Sequence, residues 1–478
     1  MSNTYESGQI CSDSYIDWKG EILNNRYICL KKLGYGSSAS VWVAFDNQMD
    51  ICVAIKIFNL DDYENGEYEI TLLKRINTIK NDYGIKFIDS FDHDTENGVH
   101  ICAVLELLKN SLYNYIKKND LSLLDIKIIT KQVLLFLVDL NKNGLVHTDI
   151  KPENILICDE NDISNIVLKL VKSKDFQNKL INKKKELLKN NKINIKKVNI
   201  TMLAKKHLLI AELDNMDICS YDSSNSSDSS DCSNSSDCSN SSDNSNSSDS
   251  SCDSNNNYFM NKNMLEKSNN TEEIEQSSND QKENILTGKN SDKLIDIKNK
   301  FDIYSNQQKI KKIKVADFNT CQDITNIEYE IQTRYYRAPE IILENHFSEK
   351  MDVWSLGCTM YELLTKIILI NSDDYEEACK DRYHMYLIQS KIKLLDIDFI
   401  NTSKKKYIFI DSNNLLKGFR NFKSNLFWKG LIDTYGERSD YGELTQLYNF
   451  IDFLLECLEP NPEIRKTPIK LLEHSFLQ

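Results

Sequence analysis

The segment HTDIKPEN (residues 147–154) decides the fold of this 478-residue chain. It sets Asp149, Lys151 and Asn154 in the spacing HxDxKxxN, and Asp317 follows the strand-like run KIKVA much later in the sequence. Aspartate and asparagine in loops are usually turn formers. The fixed spacing and the later aspartate favour another interpretation, in which Asn154 and Asp317 supply oxygen ligands to Mg²⁺, a hard ion.

Upstream, LGYGSSASVW (33–42) places two glycines between two predicted strands. Without Cβ atoms, the backbone at Gly34 and Gly36 can lie close to phosphate oxygens and offer them N–H groups. Ala39 stands where a third glycine would complete GxGxxG. A lone GxG between strands is more often an ordinary tight hairpin, so this loop needs support from other residues.

A lysine on the next strand gives that support. VAIK (53–56) surrounds Lys56 with apolar residues, and an inward-pointing amine then needs an anionic partner. An exposed strand lysine is normally just solvated. Glu69, on a helix predicted at Glu64–Ile76, is the expected partner.

The hydrophobic pattern separates a strand-rich part, Arg26–Leu108, from a helical part that begins near Ser111 and resumes at Ile310. Alternation predicts five strands, namely RYICLKKL (26–33), VWVAFD (41–46), ICVAIKIF (51–58), IKFIDSF (85–91) and HICAVLEL (100–107). Apolar residues at helical spacing predict a helix over Leu121–Asn143, and Gly144 is a plausible C-cap.

Residues 161–307 interrupt this pattern. They hold a Lys-rich part (Lys169–Lys206), a Ser/Asp tract (Tyr221–Ser254) with seven Asp and no Lys or Arg, and a polar remainder. Such a composition predicts mostly disorder. The Lys-rich part is compatible with a helix, a nuclear-import patch or a solvated face. The tract supplies about half of the net charge of −13, which therefore argues only weakly against nucleic-acid binding.

Composition also predicts a soluble intracellular chain. The thirteen cysteines show no CxxC spacing and are expected to be reduced. The N-terminus lacks the features of a signal peptide. The longest apolar run, Val133–Val138, is far shorter than the ~18 residues of a membrane span.

Together, the glycine loop, VAIK, HTDIKPEN, KVADF (314–318) and IQTRYYRAPE (331–340) resemble the signature set of protein kinases. The resemblance implies an α+β bilobal fold with a small β-rich N-lobe, a larger helical C-lobe and a long disordered insertion. It divides the chain into a polar extension (1–24), an N-lobe (25–108), a first C-lobe part (109–160), a spacer (161–307) and a second C-lobe part (308–478).

The same resemblance implies the site residues. Asp149 would accept or orient the substrate hydroxyl, and Lys151 would stabilise charge on the transferred phosphoryl group. Asn154 and Asp317 would bind Mg²⁺. ATP would contact Leu33, Gly34, Tyr35, Gly36, Ser37, Ser38, Ala39, Ser40, Val41, Ala54, Lys56, Glu69, Glu106, Leu108 and Leu156.

Four further residues have implied structural roles. His147 would be a buried imidazole that braces the catalytic loop. Glu340 and Arg465 would form an ion pair within the C-lobe, and Asp352 would support the catalytic loop from the start of a helix.

Within the kinases, HTD in place of HRD resembles the SR-protein kinases and the LAMMER kinases. GEILNNRYICLKKLGYG, IQTRYYR and the spacer favour the SR-protein kinases. That resemblance implies a monomeric enzyme of cytoplasm and nucleus that phosphorylates serines in Arg/Ser-rich RNA-processing factors, with no direct nucleic-acid or membrane partner. Acidic residues suited to an Arg-rich substrate are Asp373, Asp374, Glu376, Glu377, Asp433 and Glu437.

Two departures keep alternatives open. Asn319 follows Asp317-Phe318 where kinases have glycine, which leaves room for a pseudokinase scaffold. YRAPE points to the wider group that includes the LAMMER kinases, and a dual-specificity enzyme of that type would autophosphorylate Tyr335 or Tyr336.

Overall fold

A computed structural model describes residues 16–478 except for 159–161, 190–198, 217–302, 329–330, 374–376, 412–416, 418–423 and 438–440. The described chain forms a strand-rich N-terminal lobe and a helical C-terminal lobe, as the sequence predicts.

The N-terminal lobe is built on one six-stranded antiparallel sheet. Its strands are β1 (Ile22–Leu23), β2 (Tyr27–Tyr35), β3 (Ala39–Asp46), β4 (Ile51–Phe58), β5 (Phe87–Thr95) and β6 (Gly98–Glu106), in the order β1-β2-β3-β4-β6-β5. Helix α1 (Tyr63–Asn77) packs against this sheet and buries Glu69, Ile70 and Leu73. All five predicted strands and the predicted helix are therefore present.

The C-terminal lobe begins with α2 (Leu112–Ile116) and α3 (Leu123–Lys142), followed by β7 (Leu145–Val146) and β8 (Ile155–Ile157). A capping box between Ser122 and Asp125 begins α3, and Gly144 (φ +73°) turns the chain after its end. Later elements are β9 (Ile313–Val315), β10 (Gln322–Asp323), α7 (Pro339–Ile342), α8 (Lys350–Thr365), α9 (Glu377–Lys391), α10 (Ile397–Asn401), α11 (Lys406–Phe409), α12 (Phe427–Tyr435), α13 (Tyr441–Cys457) and α14 (Pro468–Leu471).

The end of the predicted N-terminal extension is not loosely attached. Trp18 is buried, with its ring edge-on to His93 and His100, and it packs with Leu23 against one face of the sheet. The backbone N–H of Gly20 donates to the carbonyl of Cys29 on β2. Only Trp18 and Leu23 supply this burial within an otherwise polar stretch, which explains why the sequence pattern does not reveal it. The first 15 residues lie outside the described part.

The first part of the insertion is helical, which is the helix interpretation left open for the Lys-rich part and not the disorder predicted for most of the insertion. The described residues between 162 and 215 form three helices, α4 (Asp162–Lys172), α5 (Lys174–Lys189) and α6 (Ile200–Asn215). Their apolar residues cover an outer part of the sheet that belongs to β2, β3 and β4. The cluster joins Val167, Val171, Phe176, Met202, Leu209 and Leu213 to Ile28, Leu30, Val43, Phe45 and Cys52. The Ser/Asp tract lies outside the described residues.

The insertion returns along the C-terminal lobe. The carbonyl of Ile303 accepts from the N–H of Leu123, and Asp125 Oδ1 accepts from the N–H groups of Lys309 and Ile310. Asp125 thus serves both the cap of α3 and the anchor of the returning segment. Among the described helices, none is both long and apolar enough to cross a bilayer.

Candidate active site

The catalytic loop lies between β7 and β8, and Asp352 of α8 fixes its backbone. Asp352 Oδ2 accepts from the N–H of His147 at 2.7 Å, and Oδ1 accepts from the N–H of Thr148 at 2.8 Å. Thr148 has a left-handed backbone (φ 67°), which these contacts hold in place. Burial raises the pKa of Asp352 to about 7 against these hydrogen bonds. The predicted support of the loop by Asp352 is seen in these contacts.

His147 has the surroundings of a structural residue. It is fully buried, its Nδ1 faces the N–H of Asp149, and its Nε2 lies 3.3 Å from the carbonyl of Ala316. Burial lowers the pKa of His147, so the ring is neutral with its proton on Nε2. Its ring also packs edge-on against Phe318.

Asp149 is held by three neighbours. Its Oδ2 accepts from Asn154 Nδ2 at 2.9 Å and pairs with Lys151 Nζ at 2.7 Å, while Oδ1 accepts from Thr333 Oγ1 at 2.7 Å. Lys151 also donates to Thr333 Oγ1 at 2.8 Å. Burial tends to lower the pKa of Lys151, but Asp149 outweighs burial and raises it, so the ammonium stays charged. These contacts place the carboxylate of Asp149 and the ammonium group of Lys151 side by side in the catalytic loop.

Lys56 points inward, as its apolar strand predicts. Its Nζ lies 2.7 Å from Glu69 Oε2 and 2.9 Å from Asp317 Oδ1. Burial tends to lower the pKa of Lys56, but the carboxylates of Asp317 and Glu69 outweigh burial and raise it. The pKa of Asp317 is lowered overall, because Lys56 outweighs the effect of burial. Lys56 therefore links α1 to the segment that follows β9.

Asn154 and Asp317 meet because β8 and β9 pair antiparallel. Ile155 lies opposite Val315, and the N–H of Ala316 donates to the carbonyl of Asn154 at 2.9 Å. Asn154 Oδ1 and Asp317 Oδ2 accept no hydrogen bond from any residue that the structure describes. Two uncommitted oxygens of an amide and an ionised carboxylate are a donor set that suits Mg²⁺.

The glycine loop connects β2 and β3, and it is tied to the end of β4. Asn59 donates through Nδ2 to the carbonyl of Ser37 and through its backbone N–H to that of Ser38. A Cβ added at Gly34 or Gly36 would meet nothing within 4 Å, so the loop has open space above it. The side chains of Leu33 and Tyr35 are exposed, and Ser40 accepts from the indole N–H of Trp42.

Five of the residues predicted to contact ATP share one apolar cluster. Ala54 is buried there, and Val41, Leu108 and Leu156 are half-buried against it; Ala39 is buried in the same cluster. Glu106 is different, because its side chain forms an ion pair with Lys314 and accepts from the N–H of Lys86. Both contacts use Oε1, so they hold the side chain of Glu106 against Lys314 and Lys86.

Two other buried contacts stiffen the C-terminal lobe. Glu340 and Arg465 are both fully buried and form a bidentate pair at 2.6 and 2.9 Å, as predicted from their sequence context. Tyr336 donates its hydroxyl to Glu362 Oε2 at 2.6 Å, and burial raises the pKa of Glu362 to about 7.

The predicted acidic residues are only partly described. Asp373 accepts from the hydroxyl of Tyr335, and Asp433 and Glu437 are exposed. Asp374 and Glu376 lie outside the described residues, and Glu377 begins α9. One further acidic residue, Asp381, was not predicted. It forms an ion pair with Arg334, the residue that follows Thr333.

Thr333 and Gln332 were also missed. Gln332 is buried with a left-handed backbone (φ 65°), and its side chain contacts the backbone of Met351 and Ala338. Its carbonyl accepts from Arg337, which fixes the turn that presents Thr333 to Asp149. The motif IQTR contained both residues, but neither is titratable, so no argument from charge selected them.

Comparison with known proteins agrees with this geometry. The protein kinase domain model matches residues 27–194 and 282–477. SRSF protein kinase 3 of Mus musculus is 28% identical, with 98% of this chain and 89% of that protein covered. The serine/threonine-protein kinase SRPK of Physarum polycephalum is 26% identical, with 96% and 87% covered. A solved kinase-domain crystal structure superposes with a TM-score of 0.57 at 20% identity, with 97% of this chain and 99% of that chain covered, which shows the shared fold.

The family match spans well over half of the residues, and it includes every element that builds the site described above. The chain therefore belongs to the protein kinase family, and its nearly full-length similarity is to serine/threonine kinases of the SR-protein type.

Proposed function

We propose that this kinase transfers the γ-phosphoryl group of ATP to serines in Arg/Ser-rich proteins of RNA processing. Phosphoryl transfer is supported above all by the position of the Asp149 carboxylate, which Lys151, Asn154 and Thr333 hold in place. Near it lie the two oxygens of Asn154 and Asp317 that accept no hydrogen bond from the described residues. Names of relatives such as SRSF protein kinase 3 support the substrate class.

Each residue has a defined task in this proposal. When bound, ATP supplies the phosphoryl group and Mg²⁺ neutralises phosphate charge; Asn154 and Asp317 would hold the ion. Lys56, fixed by Glu69, would orient the α- and β-phosphates. Asp149 would accept the hydrogen bond of the serine hydroxyl, and Lys151 would balance charge on the group in transit.

The alternatives lack such support. A tyrosine at 336 is unsuited to autophosphorylation in this conformation, because its hydroxyl is buried and bound to Glu362. A pseudokinase would be expected to lose a phosphate or metal ligand, whereas all of them are present here.

A peptide array that compares Arg/Ser, Pro-directed and acidic targets tests the proposal. We expect strong labelling of Arg/Ser peptides by the full chain and none by Asp149→Ala, which should keep the thermal stabilisation by Mg²⁺·ATP. Wild-type-like transfer by Asp149→Ala would refute the role of Asp149. Preferred labelling of acidic or Pro-directed peptides would refute the substrate class alone.

We also propose that the kinase distributes between cytoplasm and nucleus through its insertion. The Lys-rich helices and the Ser/Asp tract support this, since opposite charges offer distinct surfaces to transport factors. Imaging of a fluorescent full-length fusion and of a variant lacking residues 221–302 tests it. That deletion spares α4–α6, which are part of the folded lobe, and an unchanged distribution would contradict the proposal.

A further inference from the structure

Helix α5 uses only one face to dock. Phe176 and Leu180 are buried, and α5 packs along α6, which in turn covers the sheet of the N-terminal lobe. Lys179 pairs with Asp175 and Glu212, and Lys183 pairs with Glu186. These lysines are therefore partly neutralised by their own neighbourhood.

The opposite face of α5 is different. Positions 174, 181, 185, 188 and 189 are each three, four or seven residues from another of the set, so they lie on one side of the helix. Lys174, Lys185 and Lys189 are exposed there, and Ile181 and Leu188 are 52% and 46% exposed. We call these five residues the lysine stripe.

None of the three lysines in the stripe forms an ion pair with any residue in the described part of the chain. Lys185 and Lys189 are also one helical turn apart, where like charges repel. The stripe thus combines uncompensated positive charge with two exposed apolar side chains. This combination suits an acidic peptide segment better than a second apolar surface.

The chain contains such a segment close by. Residues 169–206 hold thirteen Lys against two acidic residues, whereas the Ser/Asp tract (221–254) holds seven Asp, eighteen Ser and no basic residue. Four of the aspartates, at 231, 237, 243 and 249, recur every six residues. Charge complementarity therefore favours the chain's own tract over an external partner.

Helix α6, after which the chain continues to the tract, ends beside α5. The ion pair of Lys179 with Glu212 sets the last turn of α6 beside the first half of α5. The tract begins six residues after α6 ends at Asn215. A random coil of a dozen residues has an end-to-end distance of about 20 Å, and the 16 residues of α5 extend over about 24 Å. Such tethering corresponds to roughly millimolar effective concentration.

We propose that the lysine stripe of α5 binds the Ser/Asp tract of the same chain, and that phosphorylation of the tract strengthens this contact. Individual surface ion pairs are weak, so several must act together. Each phosphoserine adds about −1.5 to −2 charges and three acceptor oxygens. The many Ser-Asp neighbours in the tract give a phosphorylating enzyme repeated acidic target sites. The proposal is independent of the substrate class proposed above.

Lysine acetylation footprinting of the full-length protein tests the contact. Wild type is compared with a variant in which the seven aspartates of the tract are changed to asparagine. We expect Lys174, Lys185 and Lys189 to react at least fivefold faster in the variant. Lys118, exposed on the other lobe, should react equally in both and serves as the control. Prior phosphorylation of wild type should slow the stripe lysines further.

Carbodiimide cross-linking of wild type should in addition join stripe lysines to aspartates of the tract, and 1 M salt should remove these products. Equal stripe reactivity in both proteins would overturn the proposal. Equal reactivity together with protection by single-stranded RNA would assign the stripe to nucleic acid instead. Unchanged thermal unfolding of the variant would show that the fold is intact.

Discussion

Replacement of Thr333 by valine should slow phosphoryl transfer without weakening ATP binding. The hydroxyl of Thr333 donates to Asp149 Oδ1 at 2.7 Å and accepts from Lys151 Nζ at 2.8 Å. Valine keeps the shape of the side chain and removes both contacts. Lys151 retains its direct contact with Asp149 Oδ2, so the bond from the hydroxyl to Asp149 is the principal loss.

The magnitude follows from the charge on Asp149. A hydrogen bond to an ionised partner contributes about 1.5–3 kcal/mol. At about 1.36 kcal/mol for each factor of ten, full loss in the transition state lowers kcat about 10- to 100-fold. The KM for ATP should change less than about twofold. The residues expected to bind ATP, namely Lys56, Glu69 and the glycine loop, contact neither Asp149 nor Lys151, which are the partners of the Thr333 hydroxyl.

Steady-state kinetics with an Arg/Ser peptide and radiolabelled ATP provide the assay. Thr333→Ser is the matched control, since it restores the hydroxyl and should recover most of the activity. A kcat for Thr333→Val within about threefold of wild type would refute the reasoning. Equal loss in Thr333→Ser would show that the methyl group, and not the hydroxyl, matters.

Three further predictions concern stability. Glu340→Gln should lower the free energy of unfolding by about 3 kcal/mol in urea titration, because it leaves the Arg465 charge buried without its partner; a loss below about 1 kcal/mol would contradict this. The folded pKa of Glu362, about 7, lies above its unfolded value, so its stabilising contribution is full at low pH and is lost as pH rises through 7. Glu362→Gln should therefore stabilise the protein about 2–3 kcal/mol more at pH 8 than at pH 5, and equal effects at both pH values would refute the assignment. Leu209→Ala should cost about 2–4 kcal/mol within the main unfolding transition, whereas an unchanged transition would show that α6 does not fold with the lobe.

The N-terminal lobe and the catalytic loop were predictable because their signals are local. Alternating apolar residues mark a strand half-buried on a sheet, and an inward lysine in such a strand requires a counter-charge. The pair of Lys56 and Glu69 follows from that requirement, whereas the pair of Glu340 and Arg465 was implied by the resemblance to protein kinases. Asn154 and Asp317 were found through spacing, although only the pairing of β8 with β9 explains why they meet.

A helix in the Lys-rich part was one interpretation that the sequence left open, but the docking of three helices on the sheet was not predictable because their stability is tertiary. In α5, Phe176 and Leu180 are scattered among lysines and asparagines, so most of this helix is polar. Short amphipathic helices of this kind gain little by themselves. They become stable when the sheet offers Ile28, Val43 and Phe45 as a second apolar surface, and a sequence window cannot reveal that surface.

The missing glycine after Phe318 is explained by the backbone that surrounds it. The left-handed residue at this point is Asp317 itself (φ 68°), whereas Asn319 is exposed and its φ is negative. The N–H of Cys321 donates to the carbonyl of Phe318, and the hydroxyl of Thr148 donates to the carbonyl of Thr320 at 2.6 Å. These bonds define the start of the segment that glycine would otherwise leave free. The conformation in which Lys56 pairs with Asp317 therefore does not require glycine at position 319. Asn319 was the one sequence feature that favoured an inactive scaffold, and the structure removes that argument.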